Sequence, residues 1–163
     1  MHTNALRIGV LIFKKNMEFL EKNLEQIIFD SDKDLLQKRG LFINGTLKRQ
    51  VKIGNYGIAD LITIKRPLYV PQVQYHEPME ITIYELKKDV IDVSTFLQAI
   101  RYLRGVRSYV QNKIWDNVNY KIILIGKTID FNSPFVFIPD VISSNDYSLG
   151  VEFITYEYKI DGI

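Results

Sequence analysis

The sequence predicts an α/β domain, and three features predict it. Branched-aliphatic runs with strand character recur along the chain, from Leu6, Ile8, Val10 and Ile12 to the continuous core run Ile122-Ile123-Leu124-Ile125. Segments with helical spacing lie between them, one around Leu20, Leu24, Ile27 and Ile28 and a longer one between Asp92 and Lys113. No internal repeat, low-complexity tract or linker interrupts the pattern, so residues 1–163 are expected to form a single domain.

The elements follow in order. Leu6 to Phe13 alternates as a strand and is too short to span a bilayer. It has no basic lead-in and no small-residue cleavage site, so a cytoplasmic location without membrane attachment is expected. Met17 to Ile28 predicts a helix capped by Asn16, with Glu18, Glu21 and Glu25 close together on a neighbouring face. A short helix over Asp32 to Lys38 ends before Gly40. Asn44-Gly45 predicts a hairpin turn between a strand at Leu41 to Ile43 and another at Thr46 to Ile53. Asn44-Gly45-Thr46 also fits a glycosylation acceptor, but nothing points to secretion and the hairpin is preferred. Gly54 to Gly57 turns the chain into a strand at Ile58 to Ile64.

Pro67 to Pro78 reads as a loop, and its lone His76 is assigned no role. A strand at Glu80 to Lys87 precedes the long helix, whose cap is Asp92 or Ser94. Strands are predicted at Tyr120 to Lys127, Phe135 to Ile138 and Val151 to Ile160, with Tyr156 and Tyr158 read as strand packing. Leu97, Ile100, Leu103 and Val110 are expected to form the core face of the long helix.

Composition narrows the chemistry. The net charge of +2 gives no global basic field, so contact with nucleic acid would need a local patch. The absence of cysteine excludes disulfides, thiolate metal sites and a Cys nucleophile. His2 and His76 alone cannot build a His-rich metal centre. Any metal would be held by oxygen, which points to Mg²⁺, Mn²⁺ or Ca²⁺.

Two strands carry charge where a core face is expected. Asp60 shares a face with Ile58, Ile62 and Ile64, and Glu85 and Lys87 share one with Ile81 and Ile83. Unpaired buried charge is costly, so two carboxylates and a lysine at the edge of a core suggest a metal site with a tuned base. On the long helix, Gln98, Arg101, Tyr102 and Gly105 fall on one face. Gly105 inside a helix costs about 1 kcal/mol relative to Ala and suggests close packing or close approach of a backbone.

Asp60, then Glu85-Leu86-Lys87, then Gln98 and Tyr102 on the next helix together resemble the PD-(D/E)XK nuclease superfamily, in the branch with a first-helix glutamate and a Q-x-x-x-Y motif. The resemblance covers roughly Met17 to Gly126; Ala59 stands where the family's name proline would be. It implies a restriction-endonuclease-like core, α-βββ-α-β with a mixed sheet flanked by helices, here with extra strands at both ends. It also implies a metal-dependent DNA nuclease, endonuclease or exonuclease, serving repair, recombination, phage or defence processes. Asp60, Glu85 and the backbone carbonyl at Leu86 would hold Mg²⁺, for which Mn²⁺ can substitute. Lys87 would position the attacking water or stabilise charge, acting as a base only if its surroundings depress its pKa. Glu21 and Gln98 would assist, with Glu18 and Glu25 competing for the first-helix role. Lys88, Arg101, Tyr102 and Arg104 would contact DNA, and Arg107 is a further candidate.

Two other readings stand beside this one. A catalytically inactive nuclease-like fold would serve as a nucleic-acid-binding or assembly module, with Asp60 and Lys87 as a structural ion pair. A junction resolvase would require a symmetric homodimer.

Overall fold

The computed structural model describes residues 5–8, 21–113, 117–146 and 148–158. Its centre is a six-stranded mixed sheet. Strands β2 (Thr46–Lys52), β3 (Ile58–Lys65) and β6 (Met79–Leu86) form an antiparallel meander. Strand β8 (Val118–Gly126) lies parallel to β6, β10 (Leu149–Tyr158) parallel to β8, and β1 (Ala5–Ile8) parallel to β10 at the far edge. Two minor pairs complete the strands: β4 (Tyr69–Val70) with β5 (Tyr75–His76), and β7 (Val90–Ile91) with β9 (Thr128–Ile129).

Helices cover both faces. On one side α3 (Val93–Gln111) sets Phe96, Ala99, Tyr102 and Leu103 against Ile62, Ile81, Ile83, Ile122 and Leu124. On the other, α1 (Glu21–Asp30) and α2 (Lys33–Lys38) bring Leu24, Ile27, Ile28 and Leu36 against Leu61, Tyr84, Leu86, Ile123 and Ile125. Period-two alternation sends neighbouring residues of one strand into opposite cores. Strand β6 lies inside the sheet and is buried from Ile81 to Leu86, so that Thr82 and Glu85 are buried along with its apolar residues. Helix α4 (Ile138–Asn145) precedes β10. Among the described residues no helix is long and apolar enough to cross a membrane.

Aspartates cap α2 and α3, and of the two candidates for α3 the cap is Asp92. Asp32 accepts from the amides of Asp34 and Leu35 at 2.8 and 3.2 Å. Asp92 caps α3 in a reciprocal box with Thr95, its carboxylate receiving the Thr95 amide at 2.9 Å. After Lys127 the chain returns to the sheet as β10, between β8 and β1.

Several expectations are corrected. Leu41 to Ile43 is not a strand, and Asn44-Gly45 does not turn a hairpin. Leu41 and Ile43 are instead buried against α1 and α2. Asn44 donates to Glu80 at 2.6 Å, and Gly45, at φ +92°, lies so close to β3 that a Cβ would meet the Ile64 carbonyl oxygen at 2.5 Å. The Asn-Gly pair therefore anchors the start of β2, and the hairpin turn is the 3-10 segment Gly54–Tyr56. Phe135 to Ile138 is not a strand either: Pro134 opens a 3-10 turn over Pro134–Phe137, and Pro139 sits in the first turn of α4. Leu97 is not in the core, being 59% exposed. The Pro67 to Pro78 loop contains the small β4–β5 pair, where the rings of Tyr69 and His76 lie 4.6 Å apart. Residues 9–13 of the predicted first strand, and Asn16 to Leu20 of the first helix, lie outside the described residues.

Candidate active site

The meander brings Asp60 and Glu85 together. Leu61 pairs with Tyr84, so the next rung of the β3–β6 ladder falls between Asp60 and Glu85. Residues directly opposite share a face, here the face covered by α3. The ladder stops before that rung. The Leu86 amide donates to Asp60 Oδ2 at 2.9 Å, so the aspartate side chain takes over from the strand backbone.

Glu85 is 1% exposed. Its Oε1 receives Lys87 Nζ at 3.0 Å, and its Oε2 is buried with no hydrogen-bond partner. Burial first, and then the neighbouring Asp60 carboxylate, push the Glu85 pKa up to about 7. Burial also raises Asp60; the Leu86 amide and Lys87 pull it back, and Glu25 and Glu21 add repulsion. Burial pushes Lys87 down, but the charge and hydrogen bond of Glu85, with Glu21 and Asp60 behind it, more than offset this and leave it above the usual lysine range. The condition for Lys87 as a base is therefore not met by its protein surroundings. Lys87 stands here as a cation.

Helix α3 supports that cation. Lys87 Nζ donates to Gln98 Oε1 at 3.4 Å, and Gln98 Nε2 donates to the Tyr102 hydroxyl at 2.8 Å. The i, i+4 spacing of Gln98 and Tyr102 makes this chain of contacts. Tyr102 is buried in the core under α3, and its ring fills the space beside Gly57, where a Cβ would meet Cε1 at 2.8 Å. This corrects its expected role at a DNA surface: Tyr102 buttresses Gln98 from inside.

Helix α1 delivers Glu21, whose Oε1 accepts the Lys88 amide at 3.3 Å at the end of β6. Glu25 is buried and receives Gln50 Nε2, while Glu18 lies outside the described residues. Glu21 is thus the first-helix carboxylate hydrogen-bonded beside the Glu85-Leu86-Lys87 segment. Among the described residues, no group of three or more His, Cys, Asp or Glu is arranged to hold a metal ion. The oxygen donors at hand are the Asp60 and Glu85 carboxylates and the strand backbone.

The arginines separate. Arg101 is exposed and donates to the Asn55 carbonyl at 3.3 Å; Arg104 is exposed. Arg107 is committed elsewhere, to Asp146 at 2.9 Å and over the Tyr120 ring at 4.9 Å. Two features escaped the sequence reading. Gln50, opposite Asp60 in the β2–β3 register, has φ +49°, a left-handed conformation uncommon outside glycine. Tyr156 sends its hydroxyl to the Lys88 carbonyl at 2.5 Å and is pushed up to about 12 by burial, Asp89 and Glu21. No pattern in the sequence announces the Gln50 backbone, and Tyr156 looks like any aromatic in a strand.

No protein-family model, curated protein or solved structure matches the chain.

Proposed function

We propose that this chain is a metal-dependent nuclease of the PD-(D/E)XK type, hydrolysing phosphodiester bonds in DNA. The observation that carries the reading is the Asp60–Glu85 rung, with Glu85 Oε2 buried and unpartnered beside Lys87. Buried polar atoms are normally paired, and repulsion between two adjacent carboxylates is relieved by a cation. The order helix, antiparallel meander, helix, parallel strand also supports it, since the resemblance in the sequence implies that order.

Asp60, Glu85 and the Leu86 carbonyl would hold Mg²⁺ or Mn²⁺. The ion would supply a Lewis acid for a phosphoryl oxygen and acidify a water. Lys87, charged and held by Glu85 and Gln98, would stabilise the negative charge that builds on the phosphate. Gln98 and Tyr102 would fix the position of that ammonium group. Burial of the rung lowers the local dielectric and strengthens each of these interactions.

The test is incubation of single-stranded, duplex, flapped and four-way DNA with Mg²⁺, Mn²⁺ or EDTA. Metal-dependent cleavage that disappears in Lys87→Ala supports the reading. Absence of cleavage with both metals would turn it to the inactive-fold alternative, which the lack of a third clustered carboxylate among the described residues favours.

A further inference from the structure

One exposed stripe of α3 leads away from the proposed centre and changes character along its length. Val93, Leu97 and Arg101 stand at i, i+4 and i+8, with Arg104 beside that line. Leu97 is 59% exposed and Val93 46%, and the two arginines are exposed as well. The stripe's second residue, Leu97, precedes Gln98, which touches Lys87. Ile58, 51% exposed, stands two residues before Asp60 on the same face of β3. Single exposed aliphatic residues need no explanation, but an apolar stretch bordering a polar centre and continuing into two arginines does.

We propose that this stripe seats an unpaired nucleic-acid strand, so that the class of DNA bound is single-stranded or splayed rather than intact duplex. The inference rests on the nuclease reading for the position of the reacting phosphate. A duplex hides its base faces and presents sugar and phosphate, against which Val93, Leu97 and Ile58 would desolvate charge and gain nothing. An unpaired strand exposes base faces that can shed water against aliphatic side chains without regard to sequence. Its phosphates then meet Arg101 and Arg104, one turn further along the helix. The Asn55 carbonyl holds the Arg101 guanidinium in place and uses only part of its donor set. A net charge of +2 supplies no broad field for non-specific duplex binding, which leaves local contacts to decide.

The experiment is fluorescence anisotropy in EDTA, with labelled oligothymidylate and a blunt hairpin duplex of equal length. The proteins are wild type, Val93→Ser/Leu97→Ser, Leu97→Phe and a control, Leu35→Ser on α2. Wild type is expected to prefer the single strand. The double variant is expected to lower the single-strand to duplex affinity ratio several-fold, as for losing two aliphatic contacts. Leu97→Phe should keep or raise the ratio, and Leu35→Ser should not move it. Preference of wild type for duplex, or no binding of either DNA, overturns the proposal. So does an unchanged ratio in the double variant, including the case where that variant turns a dimer into a monomer and reveals a contact between copies. EDTA separates binding from hydrolysis. A shifted ratio with no cleavage in Mg²⁺ or Mn²⁺ removes the nuclease reading and keeps the strand seat; cleavage in either metal with an unshifted ratio does the reverse.

Discussion

Replacing Glu85 by Gln is expected to remove a pH-dependent weakness from the fold. Burial, then repulsion from Asp60, moves the Glu85 pKa from 4.5 to about 7. The folded chain therefore keeps a proton that the unfolded chain releases across that interval. Stability falls as pH rises through the window and levels off above the folded value, because the unfolded state binds fewer protons there. The interval of about two and a half pH units, at about 1.4 kcal/mol each, corresponds to roughly 3–4 kcal/mol. Glu85→Gln keeps the shape and is neutral throughout. Urea denaturation followed by circular dichroism should show the variant and wild type nearly equal at about pH 4, and the variant about 3–4 kcal/mol more stable at about pH 8.5. Saturating Mg²⁺ at the higher pH should stabilise wild type and leave Glu85→Gln unmoved, since only an ion bound to the folded state shifts the equilibrium. A stability difference that stays constant across the pH range would refute the claim that this carboxylate is charged at a cost.

Other outcomes follow from the same geometry. Lys87→Met should abolish metal-dependent cleavage, by about 100-fold or more, and leave Glu85 and Asp60 harder to ionise, read as a shift of the stability profile to higher pH. Tyr102→Phe removes the hydroxyl that accepts from Gln98; kcat should fall several-fold, with thermal stability within about 1 kcal/mol of wild type in calorimetry. Gly105→Ala should destabilise by about 1–3 kcal/mol in urea despite Ala's better helix propensity. Its Cβ would meet Ile53 Cγ2 and Tyr56 Cδ2 at 2.6 Å. Asp92→Ala should cost about 1 kcal/mol in the same assay through loss of the α3 capping box.

The strands and caps were legible because local rules govern them. The alternation around Asp60, the run into Glu85 and the Asp92 cap each depend on a few adjacent residues, and the structure places them accordingly. That Asp60 and Glu85 come together was legible from their place on neighbouring strands, although the ladder itself ends at Leu61 and Tyr84. Tertiary contacts overrode local signals elsewhere. Asn44-Gly45 has the chemistry of a hairpin turn, but Glu80 and the end of β3 recruit it as an anchor. On α3, Leu103 and Val110 are buried and Ile100 packs against the core as expected, but Leu97 is not. Tyr102 and Gly105 turn inward against Gly57 and Tyr56, which pushes Leu97 out to solvent. Phe135 and Val136 are buried as a strand would bury them, but Pro134 sets a helical start. The sign of the Lys87 shift depends on three carboxylates from separate segments, a balance no spacing rule contains.

The most direct measurement is Mn²⁺ binding, read by electron paramagnetic resonance and by titration calorimetry, in wild type, Asp60→Asn and Glu85→Gln. One ion per chain in wild type, displaced by Mg²⁺ and lost in both variants, is the result predicted for a rung of two carboxylates built to hold a cation. No binding in wild type, or binding that persists in both variants, would contradict it.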